Sequence, residues 1–127
     1  MKFERAYDIQ VKINRILSIL DFPHIDHKRV ICMRGYGSKS KALARIWSLP
    51  RIWQKALGIK AHYVIEVISH RYEKLSKEEQ DKTLIHELLH IPKTFSGALK
   101  PHLCFGKRID ARTVEKYYKE YLKRVES

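Results

Sequence analysis

The chain has little of what would make it fibrous, disulfide-stapled or membrane-spanning. Two cysteines, Cys32 and Cys104, supply no disulfide framework. Five glycines and four prolines are scattered singly, so no low-complexity linker splits the chain and a single domain over 1–127 is expected. No run of about 18 apolar residues occurs, so no segment spans a bilayer and no membrane partner is expected. Charges interrupt Met1-Lys2-Phe3-Glu4-Arg5, which therefore lacks a secretory signal and points to the cytoplasm. Acid is missing too. Between Asp26 and Glu66 no carboxylate occurs, while Lys28, Arg29, Arg34, Lys39, Lys41, Arg45, Arg51, Lys55 and Lys60 give that stretch +9 of the net +12. Such a block suits nucleic acid, contacted through segment 28–60, or equally a solvated basic surface.

What is present is a short constellation, His86-Glu87-Leu88-Leu89-His90, inside a segment with its own start and stop signals. Ser76-Lys77-Glu78-Glu79 forms a capping box, and Glu78, Glu79 and Asp81 place negative charge at the positive end of a helix. Leu84, Ile85, Leu88 and Leu89 recur at helical spacing, and Pro92 ends the run, giving a helix of about 77 to 91. One turn of helix sets His86 and His90 on one face, where both imidazoles can reach one metal ion and Glu87 can reach its bound water.

Around this helix the apolar pattern predicts an α+β domain with a small sheet. Phe3, Ala6, Tyr7, Ile13, Ile16, Leu17 and Leu20 recur as an N-terminal helix ending before Phe22-Pro23. Val30-Ile31-Cys32-Met33 suits a strand followed by a Gly35-Tyr36-Gly37-Ser38 loop, and Ala42 to Trp47 a second strand. Pro50 opens a short helix through Leu57 that Gly58 stops; Tyr63 to Ile68, rich in β-branched residues, is the best strand. A long loop follows the motif helix, and then a C-terminal helix from Asp110 to Val125.

The stretch Tyr63 to Ile68, with His86-Glu87-Leu88-Leu89-His90-Ile91-Pro92, Ser96-Gly97 and Lys100-Pro101-His102, resembles the small metallopeptidases of archaea and phages, and more distantly the SprT-like proteases. The likeness covers roughly residues 28–118, with the H-E-x-x-H and its downstream His as the specific part. It implies a minimal zincin-like domain: a small mixed sheet, an N-terminal helix, an active-site helix carrying H-E-x-x-H, and a C-terminal helix. It implies Zn2+ held by His86, His90 and His102, with Glu87 as the general base toward a zinc-activated water that attacks a peptide or protein substrate. The substrate backbone would lie along an exposed sheet edge. A metzincin is excluded, because Ser96 stands where its third His would be and no Met follows the motif. Glu115 on the C-terminal helix is the rival third ligand. A closed structural zinc site in a nucleic-acid-binding module is the alternative, as is a SprT-like protease held on DNA; Cys104 is the one thiol available to complete such a site.

Other candidates have plainer readings. Cys104 suits a small buried thiol, His24 and His27 flank a proline turn, and His62 and His70 bracket the best strand without a role. Tyr117, Tyr118 and Tyr121 form a core stripe, with one of them open as an oxyanion donor.

Overall fold

In a computed structural model the described residues are 2–100, 103–104, 107–108 and 110–126. His102 and the Cys104 side chain lie outside what is described. The elements follow in the order β1 (Lys2–Arg5), α1 (Tyr7–Ile19), β2 (Val30–Tyr36), β3 (Ala44–Ser48), α2 (Arg51–Leu57), β4 (Tyr63–Ile68), α3 (Ser69–Tyr72), α4 (Lys77–Leu88), β5 (Leu103–Cys104), β6 (Lys107–Arg108) and α5 (Ala111–Val125). A mixed four-stranded sheet runs β1-β2-β4-β3: β2 and β4 are parallel, and the two outer strands are antiparallel to their neighbours. The α+β expectation holds, as do β4, α2 with its left-handed Gly58 cap, and α5 with Asp110 accepting from the Thr113 amide at 3.0 Å.

Alternation along the strands sorts the sheet into two faces. Val30 and Cys32 of β2, Ala44 of β3, and Tyr63, Ile65 and Val67 of β4 are buried against Ile9, Ile13 and Ile16 of α1 and Leu84, Ile85 and Leu88 of α4. Val114, Tyr118 and Tyr121 of α5 close the same core. Each aliphatic side chain removed from water there contributes about 1.5–3 kcal/mol. Lys12 of α1 reaches the buried Asp81 of α4 at 2.9 Å and pins the two helices to each other.

The N-terminal helix expected from Phe3 begins instead at Tyr7, because Lys2 to Arg5 pair with Tyr36 to Met33 as an edge strand. All four of these residues are exposed, so no burial pattern marks the strand in the sequence. Beyond Arg5 the chain turns into α1 after the Ala6 amide donates to the Cys32 carbonyl at 3.0 Å, and on that side of β2 the Val30 carbonyl and Cys32 amide have no β1 partner. Gln10 fills the gap: its side-chain amide donates to the Val30 carbonyl at 2.8 Å and accepts from the Cys32 amide at 3.0 Å, much as a paired peptide would. The expected Gly35–Ser38 loop is also partly strand, since Gly35 and Tyr36 remain in β2. The added α3 and the β5–β6 hairpin were not expected.

The basic block is less available than its sequence suggests. Arg29 is paired with Asp26, Arg34 with Asp8 and Glu73, and Arg45 with the buried Glu66. Glu66 also accepts from the Trp47 indole at 3.0 Å, and it fits only because residue 35 is glycine: a Cβ there would lie 2.0 Å from its carboxylate oxygen. Gly35→Ala should therefore push the carboxylate off Arg45 and Trp47 and cost about 1–3 kcal/mol, read from urea denaturation. Burial pushes the Cys32 thiol up to about 12. With Cys104 replaced by Ser, Cys32 should thus resist a disulfide reagent at about pH 8 until the protein is unfolded, where an ordinary thiol would react at once.

Candidate metal centre

Helix α4 presents the motif as its capping chemistry dictates. The Ser76 hydroxyl accepts from the Glu79 amide at 3.2 Å and starts the helix. Its end differs from the expected 77–91. The α-helix stops at Leu88, and His90 and Ile91 donate instead to Glu87 and Leu88 at 3.1 Å in tightened turns. His90 thus sits on the helix's last, contracted turn, where Pro92 forbids further winding.

The two imidazoles still converge. His86 Nε2 and His90 Nε2 lie 3.4 Å apart, with the rings inclined at 60°. Two nitrogens each about 2.0–2.1 Å from one tetrahedral ion lie roughly 3.3–3.4 Å apart, so this pair already has a metal's spacing. His90 Nδ1 donates to the Lys100 carbonyl at 2.5 Å, since a carbonyl can only accept, and in the neutral ring this puts the lone pair on Nε2, the atom facing His86.

That carbonyl is held by a pinned loop. The Lys100 amide donates to the His90 carbonyl at 2.7 Å, so residues 90 and 100 bond twice and close the 91–99 loop between them. Inside it Phe95, with φ of 46°, turns its ring onto Tyr63 at 5.0 Å, beneath the Arg29 guanidinium. The Tyr63 hydroxyl accepts from the Gly97 amide at 2.9 Å and donates to the Ala98 carbonyl at 2.8 Å. Gln54 of α2 donates to the Ser96 carbonyl at 3.0 Å. Tyr63, Phe95, Gln54 and the Lys100 carbonyl are site-supporting groups that sequence reasoning did not find. Their roles come from backbone positions brought together by the fold, which leave no spacing pattern.

Glu87 is 7 % exposed, and burial raises its carboxyl to about 7. With both histidines it lines a cleft of about 1050 Å3 between α4, the free edge of β3 and α5. Leu43, Ala44, Ile46, Leu99 and Val114 make the cleft walls largely apolar. Glu115 lines the cleft as well, but its carboxylate is bound to Lys82 at 2.5 Å. Among the described residues no three His, Cys, Asp or Glu side chains come together to hold a metal. None of the three tyrosines lines the cleft: Tyr117 stacks on Phe22 at 5.5 Å, Tyr118 lies under the Lys82 ammonium, and Tyr121 is core. Asp110 caps α5. His24 packs edge-on to Phe22, and His62 Nδ1 bonds the Lys60 carbonyl.

Two imidazole nitrogens at metal spacing suit two of a divalent metal's ligands, and the buried Glu87 carboxylate beside them suits a base for its water, on an α+β fold with a cleft beside a sheet edge. The chain belongs to the family described as "Putative phage metallopeptidase", whose profile matches residues 1–121. No curated protein and no solved structure matches it.

Because its carboxylate is committed to Lys82, Glu115→Ala should leave Zn2+ affinity close to wild type. His86→Ala should weaken it by more than the roughly 10–100-fold typical of losing an outer partner. Titration calorimetry of the purified variants reads both.

Proposed function

We propose that the protein is a zinc-dependent peptidase with a minimal zincin-like fold, distantly SprT-like, in which His86, His90 and His102 hold the metal and Glu87 is the general base. The observation that carries this reading is the 3.4 Å approach of His86 and His90 Nε2 beside a buried Glu87 in an apolar cleft. His102 enters through the resemblance alone, twelve residues beyond His90.

The metal, when bound, supplies a Lewis acid that lowers the pKa of water toward about 7. Glu87 takes the proton of the attacking water as the peptide carbonyl is approached. It then returns a proton to the departing amine as the C–N bond breaks. Its burial suits both halves, since desolvation raises the carboxyl and makes it a stronger base for the water's proton that it later returns. His90, oriented by the Lys100 carbonyl, keeps its donor nitrogen aimed at the same point throughout. The free edge of β3 offers backbone donors and acceptors to an extended substrate, and the apolar walls suit hydrophobic side chains on it.

Glu87→Gln should retain zinc by elemental analysis and lose about 10²–10⁴-fold in cleavage of an unfolded protein substrate, as removal of a general base does. A variant with unchanged turnover would sink the assignment. In the same series His102→Ala should lose zinc where Glu115→Ala keeps it. The nucleic-acid readings draw on segment 28–60, where Arg29, Arg34 and Arg45 are engaged in ion pairs. If the activity is DNA-associated, added DNA should raise cleavage.

A further inference from the structure

Helix α2 is built inside out. Its one inward group is Gln54, which donates to the Leu49 and Ser96 carbonyls at 2.8 and 3.0 Å and ties the helix to the body. No residue of α2 is buried. Ile52 is 77 % exposed and Trp53 56 %, and Leu57 and Ile59 are exposed on the same segment. A helix that served only to connect strands would turn such residues inward. Arg51, Lys55 and Lys60 are exposed on the same segment, among residues 27–65 where the chain carries no acid.

We propose that this segment, Arg51 to Lys60, is a peripheral docking element for an anionic lipid surface. A membrane interface takes large apolar side chains and an indole at headgroup depth while phosphates pair with flanking cations. The large apolar residues of α2 are exposed and line neither of the two described cavities, so a partner takes them in from outside rather than by filling a groove on this side. A lipid interface does that. Nucleic acid would use Trp53 and the cations but has nothing for Ile52, Leu57 and Ile59. A second copy would bring Arg51 and Lys55 against their own kind with no carboxylate in the segment to answer them. Surface attachment needs no spanning helix, and among the described residues none is long and apolar enough to span. Gln54 connects the docked helix to Ser96 in the loop behind His90, so attachment would hold the cleft close to the lipid surface.

The test is co-sedimentation of the full chain with vesicles of phosphatidylcholine, with and without phosphatidylglycerol. Binding should require phosphatidylglycerol and weaken as salt is raised. The Ile52→Ser/Trp53→Ser double variant should bind at least about tenfold more weakly, since two large apolar side chains no longer leave water. Arg51→Gln and Lys55→Gln should each cost about fivefold. All these positions are exposed, and thermal melts by circular dichroism check that the variants stay folded. Wild-type protein that fails to sediment with phosphatidylglycerol vesicles overturns the proposal, as does a double variant that binds them like wild type. An oligonucleotide that binds through these residues while vesicles do not overturns it in favour of nucleic acid. A wild-type dimer that the double variant dissolves, again without vesicle binding, overturns it in favour of self-association. None of these outcomes depends on the metal or on cleavage.

Discussion

The paired bonds between His90 and Lys100 are the constraint on which the rest of the candidate site hangs. One is an ordinary backbone bond, from the Lys100 amide to the His90 carbonyl. The other runs from the His90 ring to the Lys100 carbonyl and decides which nitrogen of the neutral ring keeps its lone pair. Because residue 100 is reached only through the 91–99 loop, everything that positions that loop also positions an imidazole. The Tyr63 hydroxyl, the Phe95 ring and the Gln54 amide are therefore parts of the site, though none lines the cleft. This is how a sheet strand and an outlying helix act on a ring neither of them touches.

The same dependence explains what could be read from the sequence. Helices α4 and α5 were legible because their signals are local: a capping Ser or Asp, an apolar stripe, and for α4 a terminating proline within a few residues. So was β4, which is buried on both faces and correspondingly rich in β-branched residues. β1 was not, because an exposed four-residue edge strand has no burial pattern, and Phe3 joined the helical stripe by coincidence of spacing. His86, Glu87 and His90 were legible because one helical turn fixes their relation. The Lys100 carbonyl was not, since any residue has a carbonyl and only the fold selects this one. His102 lies beyond the described residues, and its role rests on the resemblance.

The charge pattern shows how composition can mislead about surfaces. A run of nine cations without an acid suggests a continuous basic face, yet the three arginines at 29, 34 and 45 are turned toward carboxylates from elsewhere in the chain. Those pairs fasten strands and turns: Arg34 joins β2 to the start of α1 and to Glu73 just past α3, and Arg45 joins β3 to β4. Lys28, Lys39, Lys41, Arg51, Lys55 and Lys60 remain exposed.

Those remaining cations bear on a hazard created by β3. It closes one end of the sheet with an unpaired edge that carries Ile46 and the half-exposed Trp47. An open, apolar edge is a template for any extended chain, including the same edge of another molecule, and stacking of that kind leads toward aggregation. Among the described residues β3 contains no proline, and its register with β4 is unbroken. Lys39, Lys41 and Arg51, exposed in the segments beside β3, place like charge next to that edge, and like charges repel one another. The edge can thus stay open to a neutral or acidic strand while refusing its own kind, and high salt would remove the distinction.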